Sequence, residues 1–152
     1  MSTDLFQYCQ KLVIFSKDHK MVLLGKRKSE IDYDGVFSFF GGKMENTDKN
    51  MVEGILREKR EELGSNCTIG FYPQFSTNYC FHKKDGSFMI IPHYYAEFVG
   101  GEIELSDEYS EYKWINKTDL DEFEPKIDTI PEVVLKILNI SKLIEKDDLV
   151  RI

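Results

Sequence analysis

The sequence is poor in several things, and each shortage removes a class of function. It has only three cysteines, Cys9, Cys67 and Cys80, an odd count with no CxxC pair. That argues against a disulfide scaffold and predicts free thiols in a reducing compartment. No apolar run approaches the roughly 20 residues a membrane helix needs. The opening Met-Ser-Thr-Asp-Leu-Phe-Gln has neither a basic stretch nor an apolar one, so no secretory signal is expected and a cytoplasmic location is. Positive charge is also short: 20 Lys and Arg stand against 27 Asp and Glu, a net charge of −7. Broad nucleic-acid binding and anionic membrane surfaces both want a basic face, so both are disfavoured. A nucleotide substrate is not excluded, because a bound cation can supply the missing positive charge. There is no repeat, low-complexity tract or linker, and 152 residues suit one domain, 1–152, with one core.

What is present alternates between short strands and two helices. Lys11–Phe15 and Met21–Leu24 are apolar runs around a polar turn, which predicts a hairpin. Ser29–Gly35 reads as a loop, and Val36–Phe40 as a strand stopped by Gly41-Gly42. Asn50 followed by Glu53 makes a capping box. Val52, Ile55, Leu56 and Leu63 form a stripe at helical spacing, and Gly64 sits where a terminator belongs, which places a helix at about 51–63. Cys67–Phe81 reads as one strand or two, with Pro73 at an edge or bend. Phe88–Val99 is a long strand with Tyr94, Ala96 and Phe98 on one face and His93, Tyr95, Glu97 and Val99 on the other. Tyr112–Ile115 is a short strand, and Thr129–Ile144 a second helix with Pro131 in its first turn. The tail 145–152 is polar and expected to fray. The order predicts an α+β fold, a mixed sheet with helices packed on it.

The first helix carries an arrangement that stability alone does not favour. Glu58, Glu61 and Glu62 lie at i, i+3 and i+4 and share one face, where like charges repel by about 0.2–0.5 kcal/mol per pair. They occupy the negative end of the helix dipole, against each by roughly another 0.3–1 kcal/mol. Arg57 reaches Glu53 and Glu61 at four-residue spacing and softens the cost. A divalent ion would remove it, since hard cations seek carboxylate oxygens.

Gly41-Gly42-Lys43-Met44-Glu45 followed by Arg57-Glu58-Lys59-Arg60-Glu61-Glu62-Leu63-Gly64 resembles the Nudix box, G-x5-E-x7-R-E-U-x-E-E-x-G-U, with U a bulky apolar residue. The resemblance implies a Nudix-like α/β/α sandwich with 51–63 as the catalytic helix and about 129–144 as the C-terminal one. It implies metal ligands at Glu58, Glu61 and Glu62 and at the Gly41 carbonyl, with Arg57 orienting the glutamates. Mg²⁺, or Mn²⁺, would be the cofactor. The implied reaction is attack of water on phosphorus in a nucleoside diphosphate derivative, an NTP, dNTP or nucleotide sugar. A general base lying six residues before a tryptophan in part of the family falls on Glu108, with Glu111 and Glu97 behind it. Lys26 and Arg27, at the end of a strand, match positions where members contact phosphate. Trp114, Tyr33, Phe39 and Tyr94 are candidates to stack on a base. His19, His82 and His93 lack metal-ligand spacing. Family members are often homodimers.

The chain departs from the pattern in three places. Fourteen residues, not thirteen, separate Gly42 from Arg57, and the extra one is placed in the loop Asn46–Lys49. The first box glutamate is replaced, with Asp48 the best substitute and Glu45 near. Lys59 takes an apolar position, where a lysine can bury its stem, and Ser65 takes another. Two alternatives stay open. One is a hydrolase of the GDP-mannose type, which the stretch Phe88–Trp114 resembles. The other is a non-catalytic nucleotide-binding module on the same fold.

Overall fold

The computed structural model describes residues 5–30 and 32–152. The first four residues, on which much of the reading of the chain's start rests, and Ile31 in the loop after the first hairpin lie outside them. Among the described residues nine strands form one mixed sheet: β1 Gln7–Tyr8, β2 Lys11–Phe15, β3 Met21–Arg27, β4 Phe37–Ser38, β5 Cys67–Phe71, β6 Thr77–His82, β7 Phe88–Gly101, β8 Tyr109–Asn116 and β9 Val150–Arg151. Two α-helices cover it, α1 Met51–Leu63 and α2 Ile130–Ser141.

The β2 strand is buried along its whole length, and its alternation divides the core. Leu12 and Ile14 point to the α1 side, where they meet Ile55, Leu63, Tyr94 and Ala96. Val13 and Phe15 point to the α2 side, against Val133, Val134 and Ile137. The sheet thus lies between two helix layers, the expected sandwich. The two faces of β7 also separate as its pattern predicts, with Phe98 beside the α1 cluster and Tyr95 in the α2 cluster.

β7 is the spine. On one edge it pairs in parallel with β1 and then β2, and on the other antiparallel with β6 and then β5. Proline lacks an N–H, and Pro92 falls between the last β1 partner, Ile90, and the first β2 partner, His93. Helix α1 is capped at Asn50 and Gly64, the positions its sequence predicts. The Asn50 side chain accepts from Glu53 N at 2.9 Å, and Gly64 adopts φ 85°, which favours glycine.

Parts of the expected pattern change. The tail does not fray: Val150 and Arg151 pair with Phe71 and Gly70, and Ile152 N–H donates to Ile69 O at 2.8 Å. Its apolar Leu149, Val150 and Ile152 find an open edge on β5, which a polar reading of 145–152 overlooks. Helix α2 ends at Ser141, three residues early. The segment Cys67–Phe81 forms two strands broken around Pro73, one of the two readings its sequence allowed.

Candidate active site

The turn Phe40–Lys43 and the C-terminal half of α1 form one wall of a cleft of about 840 Å³. Backbone bonds hold the turn against β2, Leu12 N–H to Phe40 O at 2.8 Å and Gln10 N–H to Gly42 O at 2.9 Å. Gly41 has φ 132°, and a Cβ there would overlap the Gln10 carbonyl, so glycine is required. At Gly42 the constraint comes from the site itself. A Cβ would overlap the Glu58 carboxylate, so the carboxylate reaches the turn only because no side chain stands there.

The cleft is lined by Glu58, Glu61, Glu62, Gly41, Arg27 and Glu108, six of the residues singled out from sequence. Arg57 lies behind this wall. Its Nε and Nη2 bind the two Asp48 oxygens at 3.1 and 3.0 Å, a fork-to-fork pair. Nη2 also donates to Lys43 O at 3.0 Å, and Nη1 to Glu58 Oε1 at 2.9 Å. Glu45 and Glu61 are farther from Nη1, at 3.4 and 3.6 Å. Asp48, with a side chain 4% exposed, therefore anchors Arg57 to the loop before the helix. The Arg57 hydrogen bonds keep its carboxyl below the usual range.

Glu62 is the most enclosed of the three helix carboxylates, 2% exposed. Its Oε2 accepts from Gly41 N–H at 3.0 Å and from Tyr109 O–H at 2.8 Å. Burial pushes its pKa up to about 7, against the opposing pull of Lys11 and of these two hydrogen bonds. Burial also raises Glu58, which Arg57 resists and Glu61 and Glu108 reinforce. Glu61 is exposed and is the most accessible of the three.

The donor set consists of carboxylate and carbonyl oxygens, which suits a hard divalent cation. The gap at Gly42 and the burial of Glu58 and Glu62 near one another fit that use. Among the described residues no three acidic, His or Cys side chains converge on a single point. Glu58 Oε1 accepts from Arg57, and Glu62 Oε2 from Gly41 and Tyr109, so these bonds engage one oxygen of each carboxylate and leave the other to a cation. Arg27 fits a phosphate contact: its Nε is buried without a hydrogen-bond partner, while Nη2 pairs with Glu30 at 3.0 Å.

Several sequence candidates fall outside the cleft. Strand alternation turns Lys26 to the opposite face of β3 from Arg27. Trp114 packs its ring against Phe98 at 5.6 Å, beside the α1 core. Glu97 binds His19 at 3.0 Å on another part of the surface, and Glu111 sits on exposed β8 beside Lys113. Tyr94 is buried in the α1-side core, Phe39 is buried in the α2-side core at the cleft floor, and Tyr33 is exposed at the cleft. Lys59 is buried, with its ammonium on Cys67 O, as a lysine in an apolar position would be.

Two residues escaped the sequence reading. Tyr109 follows the candidate base directly, but only the β3–β8 pairing brings its hydroxyl to Glu62. Lys11 stands at the head of a wholly buried strand, and that misplaced charge was the available signal. Its Nζ donates to Gly41 O at 2.9 Å.

Comparison with known proteins gives a consistent picture. The family model described as NUDIX domain matches residues 10–135. CTP pyrophosphohydrolase of Escherichia coli (strain K12) is 41% identical over 59 residues, 39% of this chain and 42% of that one, so the match spans less than half of either protein. The MutT protein from Methanosarcina mazei Go1 superposes with a TM-score of 0.70 at 19% identity, over 93% of this chain and 99% of the other. A C. elegans Ap4A hydrolase in a binary complex superposes with a TM-score of 0.72 at 16% identity, over 91% and 99%. At these identities the structural matches speak for the fold. No helix among the described residues is long and apolar enough to cross a membrane.

Proposed function

The chain belongs to the Nudix hydrolase family, and from that premise we propose that it is a divalent-metal-dependent pyrophosphohydrolase acting as one domain on a nucleoside diphosphate derivative, an NTP, dNTP or nucleotide sugar. The observation that carries the proposal is the meeting of Glu58, Glu61, Glu62, the Gly41 carbonyl, Arg27 and Glu108 on one cleft. The named activities of the Escherichia coli and C. elegans relatives, a pyrophosphohydrolase and an Ap4A hydrolase, are of the same chemical kind.

Glu58, Glu61, Glu62 and Gly41 O would hold Mg²⁺ or Mn²⁺. When bound, the ion lowers the pKa of coordinated water and offsets phosphate charge. The protein does the rest. Gly41 N–H and Tyr109 O–H fix the Glu62 carboxylate, and the Asp48–Arg57 pair fixes Glu58 relative to the turn. Arg27, which lines the cleft, offers its guanidinium to a phosphate oxygen. Glu108, exposed at the cleft and charge-coupled to Glu58, takes the proton of the attacking water. Tyr33, exposed on the cleft, offers its ring to the base.

A second reading, a nucleotide-binding module without catalysis, is favoured by the carboxylates' present engagement with Arg57, Gly41 and Tyr109. Release of phosphate or pyrophosphate from a panel of nucleotides with Mg²⁺ decides between them. Wild type is expected to turn over at least one nucleotide class, and Glu61→Gln to lose most of that rate. Nucleotide binding without turnover of any substrate would replace the enzyme reading with the second one. A Glu108→Gln variant as fast as wild type would remove Glu108 as the base.

A further inference from the structure

Lys11 is a buried cation to which the proposed reaction gives no task. It is 8% exposed, and its ammonium donates to the carbonyl oxygen of Gly41 at 2.9 Å. Its place is fixed by the backbone. Lys11 pairs with His93 across the parallel β2–β7 ladder, and the strand bonds on either side, from Gln10 and Leu12, clamp it to the glycine turn. The same ammonium is the charge that most favours an ionised Glu62. A lysine head is a compact point charge on a flexible stem. Here it engages one atom, and bears on another, of the set that would ligate a metal.

We propose that Lys11 is an internal cation that competes with the catalytic divalent ion for the Gly41 carbonyl, and so sets the metal concentration at which the site becomes competent. This rests on the metal reading above. A carbonyl oxygen has a second lone pair, so geometry alone does not forbid both cations. Their mutual repulsion at ligand distances does oppose joint occupancy, because a partly dry site screens charge less than water. Metal entry then requires the ammonium to swing into the cleft that Lys11 lines.

The test is Mn²⁺ binding to the full chain without substrate, at pH 8, followed by calorimetry or water-proton relaxation. Lys11→Met removes the charge and the donor. Lys11→Gln removes the charge and keeps an N–H donor for Gly41 O, which guards against a folding defect. Lys11→Arg keeps the charge. The first two are expected to bind Mn²⁺ about tenfold more tightly, and the arginine variant within about twofold of wild type. Folded Met and Gln variants with unchanged or weakened Mn²⁺ affinity would overturn the proposal. Wild type is also compared with Glu61→Gln. If neither binds Mn²⁺, the metal reading fails and this inference with it. If wild type binds, Glu61→Gln binds more weakly and the Lys11 variants do not tighten, only the inference fails.

Discussion

Replacing Glu62 with glutamine should alter how stability varies with pH, and the size of the change follows from burial. The folded protein holds the Glu62 carboxyl at about 7 against an ordinary value of 4.5. A group raised on folding contributes stability that is fully present below the unfolded value and lost as pH rises through the folded one. The gap corresponds to about 3 kcal/mol, lost between about pH 4.5 and 7. His93 works in the opposite sense. Burial lowers it from 6.5 to about 4, so its contribution is present above 6.5 and lost as pH falls towards 4. That is also about 3 kcal/mol, over nearly the same window. The two contributions therefore oppose each other in wild type, and the variant exposes the His93 slope without that of Glu62. Glutamine keeps an oxygen for Gly41 N–H and Tyr109 O–H, so the comparison isolates the charge. Urea unfolding in EDTA at pH 4.5, 5.5, 6.5 and 7.5 measures it, given two-state behaviour. The variant should gain stability as pH rises to 6.5. The difference between wild type and variant should fall by about 3 kcal/mol across the series. Parallel curves for the two proteins would refute the reasoning, because Glu62 would then not be held protonated by burial. Saturating Mg²⁺ at pH 7.5 should stabilise wild type by mass action and the variant less.

Gly42→Ala puts a methyl group where the Glu58 carboxylate lies, so turnover should fall by about a hundredfold or more while the melting temperature moves by only a few degrees. A melting temperature collapsing in parallel with activity would mean that the overlap is with the fold and not the site. Asp48→Ala releases the Arg57 fork, and kcat/KM should drop by about 10–100-fold, as for other supports of metal ligands. Asp48→Glu, which restores the residue type of the family pattern, should stay within a few-fold of wild type, and a loss equal to that of alanine would show that the carboxylate pair is not what Asp48 supplies.

What the sequence revealed follows the range of the forces involved. Helix α1 was legible to the residue because its signals are local: the Asn50 cap, the apolar stripe and the Gly64 stop all lie within the helix or beside it. The faces of β7 were legible because alternation is local too. Arg27 and Lys26 look alike in sequence, and only the facing of β3 sends one into the cleft and the other away from it. Trp114 matched a spacing, but its ring found Phe98, a neighbour that depends on where β7 and β8 lie in the sheet. Lys11 and Tyr109 reach Gly41 and Glu62 through pairings between distant strands; the charge heading an apolar run marks Lys11 as unusual, but nearby residues give no sign of what either side chain meets. The tail misled because its few apolar residues sit among charges, and their value depends on an edge of β5 that is eighty residues upstream.

The dependence of the glycine turn on β2, and of β2 on β7, has a consequence for how the protein is made. Residues 11–15 pair with 93–97, a parallel contact that cannot close until most of the chain exists. Such distant pairings slow folding, since a long loop must be ordered before its contacts reward it. On the ribosome, which extends a chain at roughly 5–20 residues per second, helix α1 would emerge several seconds before the strand that seats the turn beside it. The nascent chain carries its acidic helix exposed through that interval. Slowing translation between Gly64 and Phe98 would lengthen it, and a chain released within it would have the carboxylates but no cleft to hold them.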